Sequence, residues 1–167
     1  MESYIKEKKV QSFIKEVFKD PIVKNLLNNS NLTKKQLETF LIDILAENFL
    51  DNKVTYEEKA ALRISRKKIT RGSFNRSLQQ ARRNLIKSIY TIMLLGYLGI
   101  LDEINIYPYI EVANKIKDFK MKYQDVLEKS ELDSQELRVL RLLQENLENL
   151  IGKLSDVKVI SRFSDVT

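Results

Sequence analysis

Only four glycines and two prolines interrupt the 167 residues of this chain. These residues make turns and break regular structure, so such scarcity excludes a many-turned β-sandwich and a glycine-rich phosphate loop. It favours long helices, and the apolar residues recur at helical spacing almost throughout. Ile5, Val10, Phe13, Ile14, Val17 and Phe18 form a first stripe. Asp20-Pro21 reads as an N-cap followed by proline at the first helical position, opening a short helix with Ile22, Val23, Leu26 and Leu27. Thr33 with Gln36 and Thr55 with Glu58 are capping boxes, and Asp133 with Glu136 is a variant of one. Leu32 and Leu37 stand at staple positions around the first box, as Leu132 and Leu137 do around the third. Behind the first box, Leu37, Phe40, Leu41, Ile44 and Leu45 make one apolar face of a helix expected to run to about Asn52.

Phe74, Leu78, Ala81, Leu85, Ile89 and Ile92 step by three and four along a longer helix, which Gly96 and Gly99 should end or loosen. Pro108 opens a helix with an imperfect stripe of Ile110, Ile116, Phe119, Tyr123, Val126 and Leu127. Leu140, Leu143, Leu147, Leu150 and Leu154 then form a short heptad seam. The expectation is an all-α chain: a single compact helical domain, 1–167, of six or seven helices. Within it, 1–53 holds N-terminal helices, 54–101 a basic unit running into a buried apolar helix, 102–154 C-terminal helices and 155–167 a polar tail.

The chain has no Cys and no His. This excludes Cys or His nucleophiles, His general bases, Cys/His zinc sites and disulfides. No spacing of carboxylates, Lys, Ser or Tyr singles out a catalytic group, so the chain is read as a non-enzyme without cofactor or metal. Asp43, Glu47 and Asp51 lie on one helical side but lack a completing loop, and read as a solvated flank. Tyr90, Tyr97, Tyr107 and Tyr109 sit in apolar surroundings and read as core or interface residues. The most apolar stretch, from Leu85 to Leu101, is 17 residues long and is interrupted by Lys87 and Ser88. That is marginal for a membrane span and reads as a buried core helix. Met1 to Lys9 has no leader-like apolar centre, and a cytoplasmic location without a membrane partner is expected.

The net charge of +6 is unevenly placed. No acidic residue occurs from 59 to 101, where there are 10 basic ones, while the rest of the chain carries 19 basic and 23 acidic residues. Lys and Arg concentrated on one element are the electrostatic footprint of a phosphate-binding surface. The basic window contains Ile69-Thr70-Arg71-Gly72-Ser73-Phe74-Asn75-Arg76-Ser77-Leu78-Gln79-Gln80-Ala81-Arg82-Arg83-Asn84-Leu85. Over 69–85 this run resembles the recognition helix of helix-turn-helix DNA-binding proteins, in particular region four of bacterial sigma factors and related regulators. Ile69, Thr70, Gly72, Ser73, Phe74, Leu78, Ala81-Arg82 and Leu85 match that pattern position by position. Ile64 and Lys68 stand where the family has its Ala and turn Gly, so a longer or differently shaped turn is expected.

The resemblance implies a double-stranded DNA partner and a role in transcriptional regulation. Ser73, Asn75, Arg76, Gln79, Gln80 and Arg83 would face the groove, because Arg, Gln and Asn can bond base edges in pairs. Arg63, Arg66, Lys67, Lys68, Arg71 and Lys87 would contact phosphates. The alternative is a helical adaptor whose basic face binds an acidic protein or RNA. A homodimer could form through the segment from Ile89 to Leu101 or the seam from Leu140 to Leu154.

Overall fold

Asp20, Thr33, Thr55 and Thr70 each start a helix with their own side chain, which is why four helices begin where they do. Asp20 Oδ1 accepts the backbone N–H of Ile22 at 2.8 Å and of Val23 at 3.4 Å. Thr33 Oγ1 accepts from Gln36 N–H at 3.3 Å while Gln36 Oε1 accepts from Thr33 N–H at 2.9 Å. Thr55 and Glu58 repeat the exchange, and Thr70 Oγ1 accepts from Ser73 N–H at 3.2 Å. Each box satisfies backbone donors that a helix start would otherwise leave unpaired.

The computed structural model describes residues 2–49, 54–64, 69–100, 106–127 and 134–155. The described residues form seven helices and no strand: α1 Glu2–Lys19, α2 Pro21–Asn28, α3 Lys34–Phe49, α4 Tyr56–Ala61, α5 Arg71–Tyr97, α6 Tyr107–Leu127 and α7 Ser134–Leu154. The all-α fold class is therefore as expected. The third start signal at Asp133, like the Arg66-Lys67-Lys68 run and the tail beyond Ser155, lies outside the described residues.

The helices divide into two compact units, Met1–Thr91 and Ile92–Thr167. In the first, Val10 and Ile14 of α1, Ile42 and Ala46 of α3, Ala60 and Leu62 at α4, and Phe74 and Leu78 of α5 share one core. The second unit holds the end of α5 and the packed antiparallel pair α6 and α7. Val112 and Val126 are buried with Leu140, Leu147 and Ile151, and the Tyr109 hydroxyl at the start of α6 donates to Leu154 C=O at the end of α7. The leucine seam of α7 is thus taken up by α6.

In α3 the most deeply buried residues are Glu38, Thr39, Ile42, Asp43 and Ala46, not the Leu37–Leu45 stripe, whose Ile44 is exposed. Polar side chains occupy the centre because each finds a partner there, described below. In α5 the apolar half is not buried. Ile86, Ile89, Tyr90, Ile92, Met93 and Leu94 are each more than half exposed, and Tyr97 is 90 % exposed. The core of the first unit is built against Phe74, Ser77, Leu78 and Ala81, and α5 continues for four more turns past it. Tyr90, Tyr97 and Tyr107 are accordingly surface residues.

The helix ends as the glycines suggested. Gly99 takes φ +69, Ile100 N–H donates to Leu95 C=O at 3.0 Å, and Gly99 N–H donates to Gly96 C=O at 3.1 Å. This is the Schellman pattern, which needs a left-handed residue and so favours glycine. Gly99→Ala should cost about 1 kcal/mol through backbone strain alone, since no neighbour would touch the added methyl. Phe74→Ala, which empties a fully buried position, should cost about 3–5 kcal/mol in denaturant unfolding of the first unit.

Candidate functional site

α5 is gripped on one side only. Phe74, Leu78 and Ala81 enter the core, and the Ser77 hydroxyl meets the Thr39 hydroxyl of α3 at 3.3 Å. Asn84 donates to Asn31 C=O at 2.8 Å, and the Asn31 amide donates to the Ser88 hydroxyl at 3.1 Å. At 100° per residue these positions occupy one half of the helix and leave the other half free. On the free half, Gly72, Arg76, Gln79, Gln80, Arg83 and Lys87 are all exposed, and Arg71, on the anchored side, is exposed at the first residue of the helix. The outward face expected from the sequence is therefore present over four turns, with no acidic side chain on it. Ser73 and Asn75, expected at its flanks, are half-buried, and Asn75 Oδ1 has no hydrogen-bond partner among the described residues.

The basic window is not one surface. Three of its ten cations are committed inside the first unit. Asp43, 3 % exposed, accepts from Lys59 Nζ at 2.7 Å and from Arg82 Nη2 at 2.6 Å. Lys59 also reaches Glu47 at 3.1 Å. Glu38 takes Arg63 Nε at 3.2 Å and Nη2 at 2.7 Å, and its other oxygen accepts Ile64 N–H at 2.7 Å. Arg63 is therefore removed from the set of phosphate contacts: its side chain is 4 % exposed and forked onto a carboxylate. Asp43 is likewise no solvated flank but the acceptor that holds α4 and α5 to α3, whereas Glu47 is exposed and adds a second acceptor for Lys59, and Asp51 lies outside the described residues. Sequence reading missed this because the partners lie 12 to 39 residues apart, beyond any helical spacing. Arg66, Lys67 and Lys68 lie outside the described residues.

Between α4 and α5 the chain runs through 62–70. That is longer than the three or four residues of a helix-turn-helix turn, in line with the mismatches at Ile64 and Lys68. Among the described residues, no cluster of acidic side chains is placed to hold a metal ion, and no helix is long and apolar enough to cross a membrane. Compared with models of known protein families, with curated proteins and with solved structures, the chain matches none.

Burial pushes the Lys59 ammonium down, but the hydrogen bonds it donates to Asp43 and Glu47 and their negative charge outweigh it, so its pKa lies above the ordinary 10.5. A raised pKa in the folded state means that the stabilisation is complete below about 10.4, the unfolded value, and is lost as pH rises through the folded one. Unfolding measured above pH 10.5 should show this loss, and Lys59→Met should remove that part of the pH dependence. Asp43→Ala leaves Lys59 buried with one acceptor fewer and should cost about 3–5 kcal/mol. Arg76→Ala, on the free face, should change stability by no more than about 0.5 kcal/mol.

Proposed function

We propose that this protein binds double-stranded DNA through the free half of α5, with a role in regulating transcription or another DNA-associated process. The observation that carries the proposal is the split of one helix into a core-anchored half and an acid-free half bearing Arg76, Gln79, Gln80 and Arg83. A helix of this kind fits the major groove, and its Arg and Gln side chains can bond guanine and adenine edges. Arg71 lies in the first turn, where the helix dipole and free N–H groups add to the attraction for phosphate. Lys87 extends the cationic face beyond Arg83.

The exposed apolar turns of α5 support a second element of the proposal, a homodimer. Ile86, Tyr90, Met93 and Tyr97 recur in steps of four, three and four on the same side as Arg83. Of the two association surfaces expected, this one is open, whereas the α7 seam is occupied by α6. The same exposed surface also favours the runner-up, an adaptor whose cationic and apolar face docks on an acidic protein.

Changing Arg71, Arg76 and Arg83 together to Ala should reduce the slope of log affinity against log salt for duplex DNA by about 2–3. Unchanged binding of the triple variant, read by fluorescence anisotropy, would remove α5 from the interface. Tyr90→Glu should shift the protein toward monomer in sedimentation equilibrium. A monomeric parent chain at micromolar concentration would exclude the dimer.

A further inference from the structure

A second cationic region of the first unit draws its four lysines from outside the basic window and uses no residue of the free face of α5. Lys15 and Lys19 of α1, Lys34 and Lys35 of α3 and the buried Arg63 surround one open cleft of about 810 Å³. Sequence reading could not find it, because the four lysines come from two helices and from stretches where acids are also present.

The cleft pairs these cations with apolar walls. Phe18, Ile64 and Ile69 line it, and Lys34 Nζ stands 5.0 Å from the centre of the Phe18 ring. Its single carboxylate, Glu38, is already used by Arg63. Arg63 Nη1 has no hydrogen-bond partner among the described residues. Lys15, Lys34 and Lys35 make no ion pair among those residues, and the Lys19–Glu16 pair is solvent-exposed, where such pairs are worth little.

Lys34 and Lys35 also occupy the first turn of α3, which has no acid. Lysine there opposes the helix dipole, so the folded chain holds positive potential where most helices would place a carboxylate. Apolar walls rimmed by cations in a cleft of this size are features of a small-molecule site.

We infer that this cleft binds a small organic anion: a carboxylate, sulfonate or phosphate carried on an aromatic or aliphatic body. The head group is held by Lys34, Lys35 and Lys15, and the body lies against Phe18, Ile64 and Ile69. The inference does not depend on DNA binding.

The probe is 8-anilinonaphthalene-1-sulfonate, titrated into the full chain with fluorescence and methyl NMR detection. Saturable binding of one probe per chain is expected, with shifts at the Ile64 and Ile69 methyls. Lys34→Glu with Lys35→Glu should weaken it about tenfold or more. That pair favours the α3 helix dipole, so loss of binding would not reflect unfolding, and Lys15→Glu with Lys19→Glu provides an independent second variant. Ile89→Ser with Met93→Ser, on the exposed apolar face of α5, should leave binding unchanged. Shifts confined to the Ile89 and Ile92 methyls, or full affinity in both lysine variants, would overturn the inference. Displacement of the probe by random duplex DNA as effectively in the Arg71, Arg76 and Arg83 variant as in the parent would do so too, by assigning the cleft to nucleic acid.

Discussion

The arrangement of the first unit depends on one buried carboxylate. Asp43 sits near the middle of α3 and takes a cation from each of two later elements, Lys59 of α4 at 2.7 Å and Arg82 of α5 at 2.6 Å. An ionised carboxylate in such a place is tolerable only when its charge is matched and its oxygens are bonded. Both conditions are met, one oxygen to each cation. The hydrophobic contacts of Phe74 and Leu78 supply attraction but are not directional. The Asp43–Arg82 bond, with the Thr39–Ser77 contact, sets the rotation of α5 about its axis. That rotation leaves Arg76, Gln79, Gln80 and Arg83 outward.

Ion pairing also divides the basic window by purpose. Lys59, Arg63 and Arg82 are structural cations, each paired with an acid of α3. Arg71, Arg76, Arg83 and Lys87 face water without such partners among the described residues. A count of charges along the chain cannot separate the two groups, because the acids that neutralise the first group lie at 38, 43 and 47, outside the window.

Helix starts were the most legible part of the structure. Asp20, Thr33, Thr55 and Thr70 are local devices whose partners lie two or three residues away, so the sequence displays them whole. The Gly99 stop is local in the same sense. The outward face of α5 was legible because Phe74, Leu78 and Ala81 mark the opposite side at helical spacing. The fate of Ile86 to Tyr97 was not, since composition shows that a segment is apolar and not whether the chain has enough neighbours to cover it. The inward turn of Glu38 and Asp43 was hidden for the related reason that a buried acid is recognised by its partner, which here is remote in sequence. The lysine-rimmed cleft, assembled from two helices and the segment after α4, was hidden likewise.

The central claim is that the free half of α5 reads duplex sequence. The most direct measurement is a binding selection from random duplexes at low salt, with structured RNA present as competitor. Enrichment of a defined site, bound about 10³-fold or more above random duplex, is the predicted result. Recovery of duplexes with no sequence preference, or loss of binding to the RNA competitor, would contradict it.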